Sequence, residues 1–461
     1  MPRRLVLIGL LVLLAWLAER ALLPMQSASL GRESVALGFL LLSAFLLGEM
    51  APPLRLPRIS GYLLAGVLFG PDALGLVGAD SLERLKVIDS LALTFIALSA
   101  GGELSLGELR RGRRLLGWGL ATQLTLIFLV SGLLVVAASP LFAFTRDLGP
   151  AQLWVMAALL GAIATARSPA SAIAIIKETK SQGPFTEAAL GLTVAMDILS
   201  IVLFAVVLSV GGALLSGGPL DLATLGGLLL ELGSSLALGA LLGAALAAWL
   251  RRVSSHHLIT LFLVAIVVSE ASHALAHWLD VSVGASFHLE PMLICIAMGF
   301  VVRNFSAHGQ GDAFLEAIER GGLTVYALFF ALAGAALDLG SLRSTWMLAV
   351  LLVAIRFASI QGSSWLGARL AGAPASTRRN LGLTFVTQAG VSLGLARALA
   401  ARFPDWGPAV ATLAVASISL NQLLGPVLFK RALDNVGEAG AAAQPAPARP
   451  RRHVAPARVV D

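Results

Sequence analysis

Long apolar runs follow one another along nearly the whole of this 461-residue chain, separated by short loops that hold most of its charge. Runs of about 20 residues, the length that crosses a hydrocarbon core, occur at 5–23, 35–50, 59–78, 88–104, 114–138, 150–178, 187–212, 224–248, 257–278, 288–303, 320–338, 345–368, 380–400 and 408–431. Hydrophobic residues make up 57% of the chain and charged residues 13%, against about 25% charged in an ordinary soluble domain. So much apolar surface has the bilayer as its natural solvent. Lipid offers no partner to backbone N–H and C=O groups, so each span must be a helix. The expected fold is therefore an all-α polytopic membrane protein with about 13–14 transmembrane helices.

The basic residues give an independent test of that count. With fourteen spans and the N-terminus inside, 23 of the 33 lysines and arginines fall on the cytoplasmic side, 7 outside and 3 within spans. This is the bias of the positive-inside rule, and miscounting one span would invert every later loop. The same placement accounts for the net charge of +7 without a nucleic-acid partner. The one cysteine, Cys295, cannot build a disulfide framework or a zinc cluster, and nothing suggests an enzyme or a cofactor. Residues 1–34 read as an extra N-terminal helix; MPRR followed by LVLIGLLVLLAWLA also resembles a secretory signal peptide, and its cleavage would leave thirteen spans. Residues 434–461, rich in Ala, Pro and Arg, read as a disordered cytoplasmic tail.

Ionisable side chains inside spans are costly and mark function by default. The candidates are Asp197, Arg167, Glu103, Glu270, His273, His277, Glu290 and Arg356. Asp197 lies about ten residues into its span, about 15 Å deep at 1.5 Å per residue, and its short side chain cannot snorkel out. The alternative is a structural carboxylate paired with a nearby cation. Arg356 is expected to pair with Glu103 or Glu270, because an unpaired buried charge is expensive. His273 and His277 share a helical face, but no further ligands accompany them, so solvated or packing histidines are expected. Asn304-Phe305-Ser306 matches a glycosylation sequon on a loop expected to be cytoplasmic, where it has no weight.

Two spans are interrupted. In the first, Thr165, Arg167, Ser168 and Pro169 break the apolar pattern; Pro169 removes a backbone donor and disfavours helix at Ser168. In the second, the interruption is Thr387, Gln388 and Gly390. Paired interruptions in two halves of a chain point to a binding site between inverted repeats, although a proline kink and ordinary small-residue packing give the same local patterns.

Taken in order, GYLLAGVLFGPDALGLV at 61–77, IALSAGGELSLGELRR at 96–111, ATARSPASAIAIIKE at 164–178, VAMDILSIVLFA at 194–205, LTVYALFFALAGAALDL at 323–339 and LNQLLGPVLFKRAL at 420–433 resemble the monovalent cation:proton antiporter superfamily, the Na⁺/H⁺ and K⁺/H⁺ exchangers. The resemblance covers roughly 35–433. It implies inverted repeats with two broken crossing helices, a core part and a dimerisation part, a homodimer in the lipid bilayer, and a multi-pass location in the cell (inner) membrane. By that resemblance Asp197 matches the carboxylate that binds cation and proton in turn, Thr165 and Ser168 match the first broken helix, and Gln388 the second. Three departures stand out. Met196 precedes Asp197 where many relatives carry Asp or Asn; Arg167 replaces a different polar residue; and the helix at 320–338 lacks the buried lysine of electrogenic relatives.

The mechanism so implied is competition: Asp197 holds either H⁺ or a dehydrated Na⁺ or K⁺, the transported ion being the sole metal expected there. Without a second acid at position 196, a 1:1 electroneutral exchange is the simplest expectation. Arg167, Glu103, Glu270 and Arg356 are expected to be structural or gating charges. A Na⁺-coupled organic-anion symporter, with Arg167 holding the carboxylate, is the nearest alternative; a cation channel or a non-transporting sensor belongs to a different class.

Overall fold

The computed structural model describes residues 29–216, 222–252, 257–283, 287–306 and 310–441. All regular secondary structure among them is helical. The helices are α1 (Ser29–Met50), α2 (Arg58–Phe69), α3 (Ala79–Arg84), α4 (Lys86–Glu103), α5 (Leu106–Arg111), α6 (Arg113–Ala138), α7 (Pro150–Thr165), α8 (Pro169–Thr179), α9 (Pro184–Ser216), α10 (Leu222–Leu250), α11 (His257–Val283), α12 (Pro291–Phe305), α13 (Gln310–Ala335), α14 (Leu339–Leu370), α15 (Ala375–Asn380), α16 (Gly390–Arg402) and α17 (Gly407–Val436).

Nine stretches among the described residues are long and apolar enough to cross a bilayer, with Pro150–Thr179 counted as one. A tenth is the pair Ala375–Phe385 and Gly390–Arg402, bent by 53°. The other three expected spans are shorter: α2 has 12 residues, α4 has 18 and α12 has 15. Gly70-Pro71 stops α2, because proline disfavours helix in the residue before it. Lys86 and Glu103 bound α4 at its two ends, and α12 starts at Pro291, which suits a first helical turn. The expected 5–23 span lies outside the described residues, as does the tail beyond 441. The last helix runs past 433, to Val436.

Two apolar clusters organise the packing. One joins α1, α2, α4, α10, α11, α12 and α13, and continues under α8 and the inner ends of α9 and α17. The other joins α6, α7, α14, α16 and α17 with the outer half of α9. In the first cluster α4 and α12 cross backbone to backbone. A Cβ added at Gly101 would lie 2.0 Å from the Ile296 carbonyl oxygen, and one at Gly299 would lie 2.2 Å from that of Leu98. Without a hydrophobic drive between helices in lipid, close approach of this kind is what holds neighbours together.

On the side expected to be cytoplasmic, carboxylates fasten helix ends. The Phe185 and Thr186 N–H groups donate to Glu438 at 2.9 and 2.7 Å, capping α9 from the segment after α17. Ile59 N–H donates to Glu178 at 3.2 Å. Lys177 pairs with Glu103 and, at 3.1 Å, with Glu319, tying α8 to α4 and α13.

Gly101→Val should therefore prevent assembly, seen as loss of the monodisperse peak in gel filtration. Gly362→Ala, where an added Cβ meets nothing within 4 Å, should be tolerated and should stabilise by up to about 1 kcal/mol through helix propensity.

Candidate functional site: the crossing of two broken helices

The first break follows from its sequence. Pro169 has no N–H and holds Ser168 extended, at φ −115° and ψ 101°. Ala166 is extended as well, at φ −66° and ψ 148°. Ser168 Oγ then caps α8, accepting from the Ser171 N–H at 3.2 Å and the Ser171 hydroxyl at 3.0 Å. In the second break a 3₁₀ turn, Leu381–Phe385, ends before α16 begins at Gly390, with Ala389 at φ −156°. Both breaks leave carbonyls without intrahelical partners, at a depth where lipid supplies none.

Arg356, on α14, collects those carbonyls. Its Nε donates to Ala164 O at 2.9 Å, Nη2 to Ala166 O at 2.9 Å and Phe385 O at 3.2 Å, and Nη1 to Val386 O at 2.6 Å. One guanidinium therefore binds the C-terminal ends of both half-helices, where each dipole places partial negative charge. The expected partners Glu103 and Glu270 are not used. Glu103 pairs with Lys177 at the inner end of α8, and Glu270 is exposed on α11, which packs mainly on α4. Carbonyl oxygens, invisible in a residue-type scan, meet the demand that a carboxylate was expected to meet.

Gln388 adds a second tie. Its Nε2 donates to Ile163 O at 2.9 Å, and its Oε1 accepts from Asn421 Nδ2 at 2.9 Å, linking the second break to α7 and α17. A Cβ at Gly425 would lie 2.1 Å from Thr387 Oγ1, so α17 passes this break only because position 425 has no side chain. Thr165, fully buried, donates through Oγ1 back to Ala162 O at 2.7 Å. A cavity of about 30 Å³ beside the crossing, lined by Ser131, Arg356, Gln388 and Ser417 with apolar neighbours, has room for roughly one water; Asp197 does not line it.

Asp197 sits on α9, which packs against α7, α8, α16 and the 3₁₀ turn of the second break. It lies thirteen residues from Pro184, or about 20 Å at 1.5 Å per residue. The side chain is 7% exposed. Its Oδ1 is buried without a hydrogen-bond partner in the protein, and no cation of the described residues forms an ion pair with it. Arg167 does not plug it. That guanidinium is 2% exposed, donates through Nη2 to Gln123 Oε1, and lies 3.8 Å over the Phe385 ring. The buried charge is thus shared between an amide and a ring face, and it pins the first break to α6 and to the second break. Glu290 precedes the first turn of α12, and its N–H donates to Ser235 Oγ at 2.9 Å. His273 bonds the Ser269 carbonyl at 2.8 Å, and no group of three metal-ligating side chains exists among the described residues.

Gln123 and Asn421 escaped the sequence reading. Both are neutral amides in apolar helices, and a search for charges passes over them. Asn304 is likewise structural: its side chain accepts from Leu106 N–H and donates to Leu104 O.

The model of the sodium/hydrogen exchanger family, transmembrane part, matches residues 39–431. No curated protein matches the chain. Among solved structures the fold is similar to the sodium proton antiporter MjNhaP1 of Methanocaldococcus jannaschii at pH 8, with 19% identity, a TM-score of 0.62, and 90% of this chain and 99% of that one covered. An electron-microscopy structure of the same antiporter gives 19% identity and a TM-score of 0.64 over 88% and 96% of the two chains.

Arg356→Gln leaves several buried carbonyls unpaired and should cost about 3 kcal/mol or more, since each orphaned buried group costs about 1–3 kcal/mol. Arg356→Lys should recover only part of this, because an ammonium lacks the planar fork. Thermal midpoints in detergent in the order wild type, Lys, Gln would bear this out; equal midpoints would refute it.

Proposed function

The chain belongs to the sodium/hydrogen exchanger family, and we propose that it exchanges Na⁺ or K⁺ for H⁺ by competition at Asp197. The observation that carries this reading is the unpartnered Asp197 Oδ1, buried near mid-membrane on a helix that packs against both broken helices. A bare carboxylate there is expensive, so it takes up either a proton or a desolvated cation. One charge accepts one ligand at a time, and that exclusion couples the two fluxes.

Thr165, Ser168 and Gln388 stand at the breaks, where backbone and hydroxyl oxygens replace parts of a cation's hydration shell. Arg356 balances the half-helix ends, so the charge left for exchange is that of Asp197. Met196 is fully buried and offers no second acid, which supports 1:1 electroneutral exchange. The part containing α7, α9, α14 and α16 carries the loaded site across the barrier against the part built on α1, α2, α4 and α10–α13. The protein works as a homodimer in the cell (inner) membrane.

In proteoliposomes loaded with a pH dye, Asp197→Asn should reduce cation-driven proton flux to that of protein-free vesicles while leaving gel-filtration behaviour intact. Full activity in that variant would remove Asp197 from the mechanism. An imposed membrane potential should leave the wild-type rate unchanged; a potential-dependent rate would contradict electroneutral exchange. Comparing Li⁺, Na⁺, K⁺ and choline in the same vesicles identifies the transported ion.

A further inference from the structure

The two apolar clusters divide the membrane unevenly between the parts that exchange sets against each other. The outer cluster holds residues of α6, α7, α9, α14, α16 and α17 and, among the described residues, none of α1, α2, α4 or α10–α13. The inner cluster packs α8 and the inner ends of α9 and α17 continuously against α1, α2, α4 and α10–α13. Every residue of α8 from Pro169 to Ile176 is buried. The first broken helix is therefore sealed on the side expected to be cytoplasmic, whereas on the outer side the described residues of the two parts share no apolar core.

Two successive charged residues complete the seal at the end of α8. Lys177, mostly buried, pairs with Glu103 at the end of α4 and, at 3.1 Å, with Glu319 on α13. Glu178 accepts the Arg58 N–H and, at 3.2 Å, the Ile59 N–H. These are the first two N–H groups of α2, which have no partner within their own helix. Arg58 also pairs with Glu49 on α1 at 3.0 Å. One end of α8 is thereby bound to three helices of the opposite part. When such groups separate at a membrane surface, water takes over each of them, whereas at mid-depth they would be stranded. A seal built this way can open as well as close.

We propose that Lys177 and Glu178, with Glu103, Glu319 and the start of α2, form an inner gate that holds the two parts together in an outward-facing state and must open before the ion is released on the side expected to be cytoplasmic. The inference rests on the reading that the two parts move against each other. Lys177 and Glu178 travel with α8, which joins α7 to α9, while their partners stay with α2, α4 and α13. Opening the gate hydrates all of these groups together and uncovers the face of α8 that leads to the first break.

The test uses inside-out membrane vesicles containing the full chain, with a cysteine placed at Ala174, which is buried and lies three residues before Lys177 on the same face of α8. Cys295 is buried on α12, and the chain without the added cysteine measures its background. An impermeant maleimide should label Ala174→Cys slowly, and about fivefold faster when Lys177→Gln is added, the upper end of what a charge pair near water contributes. Lys177→Arg keeps the charge and should label at the slow rate. No rise with Lys177→Gln, or an equal rise with Lys177→Arg, would overturn the gate. Should Lys177→Gln fail to assemble, Glu319→Cys, at an exposed position, can be joined to the Lys177 amine by a cleavable amine–thiol reagent. Exchange should stop while the two are joined and return on cleavage; exchange at the full rate while joined would place both on one rigid body and overturn the inference. Labelling needs no transport. Absence of exchange in wild-type vesicles would instead overturn competition at Asp197, so the two failures are distinct.

Discussion

The bonds from Arg356 to Ala164, Ala166, Phe385 and Val386 are the interaction on which the crossing depends. Two helices that stop in the middle of a membrane expose carbonyls and the negative ends of two dipoles to each other. Left alone, these ends would repel and draw in water. A single guanidinium, planar and rich in donors, satisfies both at once. The half-helix ends are then roughly neutralised without the use of a carboxylate. A carboxylate partner for Arg356 would have satisfied the guanidinium and left the breaks unheld.

The rest of the polar interior supports this arrangement. Arg167 holds the first break against α6 through Gln123 and against the second break through Phe385. Gln388 bridges α7 and α17. On the side expected to be cytoplasmic, charged side chains make the ties. Lys177 reaches Glu103 and Glu319, and Glu438 accepts from the first N–H groups of the helix that bears Asp197. At the crossing, losing the Arg356 clasp would strand several buried carbonyls, each costly to leave unpaired.

The helices were legible because their signal is collective. Twenty apolar residues in a row and a bias in thirty-odd basic charges survive local irregularity. The breaks were legible because Pro169 and Gly390 act on the backbone directly. Asp197 stood out as a short acid that cannot reach water. Contacts were not legible. Arg356 bonds carbonyls, which every residue has, so residue types could not identify its partners. Gln123 and Asn421 carry no charge to mark them. The shortness of α12, 15 residues, was not legible either, because an apolar run of that length reads equally well as an ordinary span.

Competition at one carboxylate is tested most directly by the cation KM measured across pH in proteoliposomes. If proton and cation exclude each other at Asp197, acidification should raise the apparent KM, approaching tenfold per pH unit, while the maximal rate at saturating cation holds constant. A constant KM with a maximal rate that falls in acid would mean that the proton binds elsewhere and that Asp197 is not the shared site.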